Sequence, residues 1–583
     1  MKYSLTILAF VFSFTMLGQK EFFFQEMDSI KIGYRSGGTA LDSIDASFIG
    51  QITLRPGSGF GQLYERNLAQ NTFLSPGGLA YISSERRITP KFSGLPYLGF
   101  QYAFGSYLTQ DVNLEYHQFL NPNTHLHFQY NRRTSNGFLR SGDYKLNDLD
   151  LRFYHSKKRF STNFEGYYAA HDIAQNGGIV TDSLLEDFAI EFTPIQRDQS
   201  RSKVRKLDLK WDNYLRMVGD SVIGSGFKTK HQYNIVGREY VEQLLDLDLS
   251  PTDTFFVDTA GTTRDQYQTA KFSNGAGVYF NSPHFKVDAT LNYQYWRNQN
   301  LGINRDTNEV YLHSNLWASL GSRLKVRNEF YFNLIGATGE IKNYAGLNFK
   351  MLNNLTVKGK LNFENLYPTP YQRFHTANYY QWNIDNLKMQ QKLQAVGSIK
   401  YGDTTFIEAS VVWTSINNGR YFINNEWRQD TLDLVTMGAF QLKGGFKLGQ
   451  WSFYPTATLR FNSANFNYQP VFSTMNRISF QTKLFEAQKL GIALGADLGY
   501  ESGYNFMEYN GVLGLLQIPS ASVKTESLLR LNAFMALSID EFRFFLKAEN
   551  LSSLINDPKT RIDTDYPIMP FLIRVGITWD FFN

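Results

Sequence analysis

The sequence predicts an all-β fold: a transmembrane antiparallel up-and-down β-barrel of about 22 strands, within a range of roughly 18 to 24. Three observations lead to this prediction. Apolar and polar residues alternate along many segments, and the connections between these segments alternate between short and long. After the N-terminus, no apolar run reaches the length of about 18 residues that a membrane-spanning helix requires.

The alternation is clearest in residues 285–295, where Phe, Val, Ala, Leu and Tyr occupy one face and Lys, Asp, Thr, Asn and Gln occupy the other. The same pattern returns at 125–130, 355–364 and 573–581. Soluble β-sandwiches also alternate, so this pattern alone does not decide the fold.

The connections favour a barrel, because short and long connections alternate along the chain. Outer-membrane barrels have this pattern, with short periplasmic turns and long external loops. The short turns fall at 121–123, 156–159, 281–284, 321–322, 353–354, 402–403, 449–450 and 540–541. The longer loops fall at 133–146, 171–203, 237–266, 365–387, 417–434, 501–524 and 552–570. A sandwich with Greek-key crossings would have no reason to keep this order.

The chain divides into three parts. Lys2 and the short apolar run at 5–17 predict that residues 1–19 are a secretory signal peptide. Residues 20–97 are the least periodic and are open to three interpretations: first strands, a periplasmic segment or a partial plug. Residues 98–583 form the predicted barrel. The absence of cysteine removes disulfides and thiolate chemistry from consideration.

The sequence resembles the Bacteroidota putative-porin family of outer-membrane proteins. The resemblance is carried by residues 105–130 with 135–138, by 176–179, by 378–383, and by 566–567 with 574–581. It implies a barrel in the cell outer membrane, surrounded by membrane lipid, and diffusion of small hydrophilic solutes. The near-terminal aromatics Trp579, Phe581 and Phe582 resemble the signal that the barrel-assembly machinery reads during insertion.

No reaction chemistry is predicted, since no histidine or serine stands in a recognisable catalytic signature. His125 and His127 share one face of a strand, but no cysteine or carboxylate pair accompanies them, and we expect no metal and no cofactor. The formal charge of +5 is spread along the chain, which gives no indication of a nucleic-acid partner.

Two groups of residues are candidate functional features. Basic residues on polar strand faces are expected to project into the lumen and to give a weak anion preference, unless Glu329 and Glu364 neutralise them; they are Arg323, Lys325, Arg327, Lys350, Lys358 and Lys360. One predicted external loop is rich in aromatics that could contact envelope proteins, line the membrane interface or fold inward; they are Tyr367, Tyr371, Phe374, Tyr379, Tyr380 and Trp382.

Three functions follow from these features, in order of preference. The first is a porin-like channel for passive diffusion, because side chains cannot fill so wide a barrel. The second is a structural or accessory barrel of an outer-membrane assembly or secretion complex. The third is an energy-coupled transporter, which needs a plug that only residues 20–97 could supply.

Overall fold

The computed structural model describes residues 96–220, 223–243, 262–429, 434–463, 470–485, 489–505, 508–519, 524, 526–555 and 565–582. The predicted signal peptide, 1–19, and nearly all of the segment 20–97 lie outside the described residues. The predicted barrel lies almost entirely within them.

A single antiparallel sheet of 22 strands closes on itself, which confirms the predicted fold class and strand number. Each strand pairs with the next one along the chain, and the first strand pairs with the last, from Tyr97 opposite Phe582 to Gly105 opposite Arg574. Closure leaves no sheet edge, so every backbone amide of the wall can be paired without water.

The first eleven barrel strands are β1 (Tyr97–Gly105), β2 (Thr109–Asn121), β3 (Thr124–Ser135), β4 (Tyr144–Ser156), β5 (Phe160–Ala174), β6 (Ser200–Gly219), β7 (Gly224–Gln243), β8 (Thr262–Asn281), β9 (Phe285–Asn300), β10 (Ile303–Leu320) and β11 (Leu324–Ile335). The other eleven are β12 (Ile341–Leu352), β13 (Leu355–Leu366), β16 (Gln390–Gly402), β17 (Phe406–Asn417), β20 (Val435–Leu448), β21 (Trp451–Asn462), β22 (Phe472–Leu484), β23 (Leu490–Glu501), β26 (Leu528–Ile539), β27 (Phe542–Glu549) and β28 (Leu572–Phe582).

Three small hairpins lie in the loops: β14 (Phe374–Thr376) with β15 (Gln381–Asn383), β18 (Arg420–Ile423) with β19 (Glu426–Gln429), and β24 (Glu508–Asn510) with β25 (Leu515–Gln517). The loops also hold two short α-helices, α1 (Leu184–Asp187) and α2 (Pro370–Arg373), and 3-10 turns at Ser106–Leu108, Ile190–Phe192 and Leu551–Leu554. Within the described ranges, no helix is long and apolar enough to span a membrane.

The two faces of the wall follow the alternation in the sequence. On β9, Leu291 is 54% exposed on the outer face, whereas its neighbour Asn292 is 1% exposed on the inner face. Outward apolar side chains suit contact with lipid, and the polar side chains line the lumen. Directly opposite residues in antiparallel strands share a face. The strand register therefore shows which residues of the other strands face the lumen and which face outward.

The wall is taller on one side than on the other. Strands β6, β7 and β8 each contain 20 residues, whereas β11, β12 and β13 each contain 12. A tilted strand crosses the membrane in about 9–11 residues. The longer strands therefore extend beyond the membrane at the barrel end that lies away from the chain termini. The external loops are attached there.

One external connection differs from the expected long loops. Strands β9 and β10 are joined by Leu301 and Gly302 alone, both at positive φ, 43° and 81°. Two residues with positive φ match the twist of a tight hairpin, and glycine adopts this conformation without a steric penalty. Strands β9 and β10 thus end in a two-residue hairpin rather than in a long loop.

Candidate functional site: the lumen and its external lid

Three external loops fold inward over the barrel mouth, and we call them the external lid: residues 367–389, 418–429 and 508–519. Their apolar side chains form one buried cluster of Tyr371, Trp382, Phe422, Trp427, Leu513 and Leu515. The rings follow one another at centroid distances of 5.5 Å (Tyr371–Trp382), 5.5 Å (Trp382–Phe422) and 5.6 Å (Phe422–Trp427). These edge-to-face contacts join the first two loops, and Leu513 and Leu515 pack the third loop against them.

The lid is fastened to the inner face of the tall wall by Arg238 of β7. Its guanidinium donates to Ser202 Oγ at 2.7 Å and to the carbonyl oxygens of Gly511, at 2.6 Å, and Val512. Arg238 is 9% exposed, so these bonds are shielded from water. A buried charged donor with three acceptors is a strong and geometrically specific contact.

Two carboxylates of the wall bind the other side of the lid. Asp265 of β8 accepts a hydrogen bond from the backbone N–H of Asn378 at 3.0 Å. Glu242 of β7 accepts from the Tyr379 hydroxyl at 2.7 Å and forms an ion pair of 2.7 Å with Arg197. The lid is therefore attached through charged groups on neighbouring strands.

A second group of loops packs beside the lid. One buried cluster joins the loops after β3, β5, β23 and β27, and its aromatic and β-branched members are Phe138, Ile179, Tyr509, Tyr566 and Ile568. The backbone N–H of Ile179 donates to the carbonyl of Asp565 at 2.9 Å. Loops that are far apart in the sequence thus meet over the external mouth of the barrel.

Burial changes the ionisation of lid residues. Burial, with the Arg238 cation as a second cause, lowers the pKa of the His375 imidazole to about 3. Its Nδ1 atom lies 2.8 Å from the Asn300 amide nitrogen of β9. Burial also lowers the pKa of the Arg420 guanidinium to about 10, although Glu340 opposes the effect. The closed lid therefore contains a neutral histidine at neutral pH.

The six predicted aromatic residues belong to this lid. Tyr371 and Trp382 are buried, and Phe374, Tyr379 and Tyr380 are partly buried. Tyr367, 40% exposed, is the most accessible of the six. Of the interpretations open at the sequence level, the structure places the loop inward, against the wall.

The register places five of the six predicted basic residues on the lumen face. Lys325 and Arg327 of β11 lie opposite Asn348 and Gly346 of β12, which in turn lie opposite Lys358 and Lys360 of β13. Lys350 lies on the same face of β12, and Arg323 lies in the short turn before β11. All lie towards the end of the barrel that carries the short turns.

Both acids considered as partners of this cluster contact groups outside it. Glu329 lies 3.4 Å from His313 Nε2, and Glu364 accepts from the Tyr344 hydroxyl at 2.8 Å and lies 4.0 Å from Lys392. Four lysines of the cluster have no carboxylate within ion-pair distance in the part of the chain that the structure describes. These lysines are Lys325, Lys350, Lys358 and Lys360. Glu329 and Glu364 therefore form no ion pair with these four lysines.

His125 and His127 lie on the lumen face of β3 beside His117 of β2. The ring centroids of His125 and His127 lie 6.2 Å and 6.0 Å from that of His117, and Tyr97 stacks on His117 at 4.7 Å. All three histidines are 2% exposed. Among the described residues, no group of three His, Cys, Asp or Glu side chains is arranged to hold a metal ion.

The C-terminal aromatics Trp579 and Phe581 lie on the outer face of β28. Their rings stack at 4.5 Å, and they are 44% and 38% exposed. Phe582 lies opposite Tyr97 at the closing seam. The placement of the first two leaves them accessible to lipid.

Sequence reasoning missed Arg238, Glu242 and Asp265 as lid contacts because it assigned 237–266 to a loop. The structure extends β7 to Gln243 and begins β8 at Thr262. The signal that could have found them is the alternation at 238, 240 and 242, which continues the polar face of β7 without interruption.

A closed barrel with an apolar exterior and a polar lumen defines an integral protein of the outer membrane, which confirms the predicted location. The family model described as putative porin matches residues 94–583, and the chain belongs to this family. The Bacteroidota specificity of the resemblance stays a prediction. No curated protein matches the chain.

Several solved structures share the fold. The copper transporter OprC superposes with a TM-score of 0.60 at 11% identity, covering 85% of this chain and 82% of that one. The siderophore receptor PirA from Acinetobacter baumannii gives 0.57 at 10% identity, covering 85% and 82%. The FrpB iron transporter from Neisseria meningitidis gives 0.57 at 10% identity, covering 84% and 83%. At these identities the similarity establishes the fold alone.

Proposed function

We propose that the protein moves small hydrophilic solutes across the outer membrane through its lumen. The observation that carries this proposal is the closed sheet of 22 strands with a mostly polar inner face. Side chains fill a barrel of about eight strands, whereas a much wider barrel encloses a space that water, a plug or a solute must occupy. A polar lining suits a hydrophilic solute.

The lid makes this passage regulated, since the buried ring cluster and the Arg238 contacts cover part of the external mouth. Solutes then cross when the lid moves away from the wall. This view differs from a permanently open diffusion pore.

Passage could be passive or coupled to energy, and the fold comparisons favour the energy-coupled alternative. The structures that superpose on this barrel are of proteins described as iron and copper transporters and a siderophore receptor. Passive diffusion, the function preferred from the sequence, is the competing mode.

For either mode, we expect a weak preference for anions, because the lysines of β11–β13 face the lumen without an ion-pair partner among the described residues.

Two measurements test the proposal. The purified full chain in planar bilayers should carry ion current, and its reversal potential in a salt gradient should indicate anion preference. Uptake of a small anionic solute by cells that express the protein should fall when an uncoupler is added if transport is energy-coupled. Absence of both current and protein-dependent uptake would remove the proposal, and uncoupler-insensitive uptake would restore passive diffusion.

A further inference from the structure

We infer that the lumen wall holds a binding site for a multiply charged oxyanion, such as a pyrophosphate, phosphate ester or polycarboxylate. The site, called here the cationic cup, has Lys325, Arg327, Lys358 and Lys360 at its corners and Gly346 with Asn348 as its floor. The inference rests on the proposed function and deepens it by naming a class of solute.

The geometry follows from the strand register. Lys325, Asn348 and Lys358 form one row across three strands, and Arg327, Gly346 and Lys360 form the next row. Strands lie about 4.8 Å apart and residues two apart along a strand are separated by about 6.7 Å, so the corner Cα atoms outline a rectangle of about 10 by 7 Å. Lysine side chains are long and flexible enough to converge on one anion within it.

The floor of the cup is open. A methyl group added at Gly346 would meet its nearest atom, the carbonyl oxygen of Gly359, only at 3.8 Å. The absent side chain therefore leaves room between Arg327 and Lys360. Asn348 lies between Lys325 and Lys358, and its amide group adds a hydrogen-bond donor between the two amino groups.

The charge of the cup calls for an anion. All four corner residues are exposed to the lumen, and no carboxylate of the described chain lies within ion-pair distance of the three lysines. The spacing of the corners is close to the Debye length of about 8 Å at physiological salt, so salt screens their repulsion only in part. One chloride balances one of these charges, whereas a pyrophosphate or polycarboxylate balances several and can contact both rows.

Paired lysines elsewhere in the lumen supply a matched control. Lys342 lies 3.9 Å from Glu340, and Lys392 lies 4.0 Å from Glu364. Both face the lumen beyond the cup, on β12 and β16. The K342Q/K392Q double variant therefore removes the same charge as K325Q/K358Q without altering the cup.

Calorimetric titration of the purified full chain with pyrophosphate tests the cup directly. We expect millimolar or tighter binding by the natural chain and by K342Q/K392Q, and at least tenfold weaker binding by K325Q/K358Q. In bilayers, pyrophosphate should reduce the chloride current of the first two proteins and not of the third. Equal binding by the two double variants, or no binding by the natural chain, would overturn the inference.

These outcomes separate the cup from the proposed function. Current through the natural chain that is unaffected by pyrophosphate would leave solute passage intact and remove the cup. Pyrophosphate binding by a chain that carries neither current nor solute would support the cup and remove the proposed passage.

Discussion

Arg238 joins the closed lid to the barrel wall through its guanidinium group. It reaches from the lumen face of β7 to two carbonyls that lie 273 and 274 positions further along the chain. Buried hydrogen bonds to a charged group contribute about 1.5–3 kcal/mol, and the unpaired acceptors would remain shielded if the guanidinium were removed. Few other residues join wall and lid so directly.

The R238A substitution should therefore favour the open lid. We expect the free energy of lid opening to fall by about 2 kcal/mol, which raises the ratio of open to closed states about thirtyfold. The measurement is the open fraction in single-channel recordings. R264A is the matched control, because Arg264 lies on the outer face of β8 in an exposed pair with Glu239. An equal change in both variants would contradict the role of Arg238.

His375 should make lid opening depend on pH. Its pKa is lowered to about 3 in the closed lid, mainly by burial, whereas a solvated imidazole has a pKa near 6.5. The open state therefore binds the proton, so closure is fully stable above about pH 6.5 and weakens as pH falls towards 3. Between pH 7 and pH 5 the loss is about 2 kcal/mol.

Recordings at pH 7 and pH 5 check this expectation, with a larger open fraction at the lower pH. H375Q keeps a polar side chain beside Asn300 but cannot titrate in this range, so its open fraction should change much less. The same pH response in the natural chain and in H375Q would assign the effect to another group.

At the scale of elements, the loops after β5 and β23 meet closely enough to be joined covalently. A Cβ atom built on Gly511 lies 3.5 Å from Cβ of Gln175, within the range of about 3.5–4.5 Å found in disulfides. Gln175 is held to the wall, since its N–H donates to the Ser200 carbonyl at 2.9 Å. The natural chain has no cysteine that could compete.

The Q175C/G511C variant should lock the lid when oxidised. We expect low conductance under oxidising conditions and recovery to the natural level after a reductant is added to the same membrane. The single variant G511C provides the control, because it carries the same glycine substitution without a disulfide partner. Conductance that does not respond to the reductant would show that this loop does not limit passage.

The elements also show where sequence reasoning succeeds. Residues 285–295 alternate so regularly because each strand has lipid on one side and the polar lumen on the other, a condition that holds for the whole barrel. The strand number and the lumen face of Lys325 and Lys358 follow from this pattern. The boundaries at 237 and 266 were wrong because the tall wall continues beyond the membrane, where its outer face becomes polar and the alternation loses contrast.

The lid could not be predicted from the sequence. Its contacts join residues hundreds of positions apart, such as Arg238 with Gly511, and no periodicity marks them. Aromatic content identified the loop at 367–382 as important, but the same residues are consistent with a partner surface, a membrane girdle or an inward fold. Only the positions of the neighbouring loops separate these alternatives.

The proposed passage requires that the polar face of this wall encloses water while the alternate face contacts lipid. Cysteines introduced singly at adjacent positions of β12 and β13 test it, using a membrane-impermeant maleimide on the purified chain in liposomes. We expect rapid labelling of N348C and K358C, on the lumen face, and protection of L347C and V357C, on the outer face. Equal labelling of all four, or protection of the two lumen positions, would contradict it.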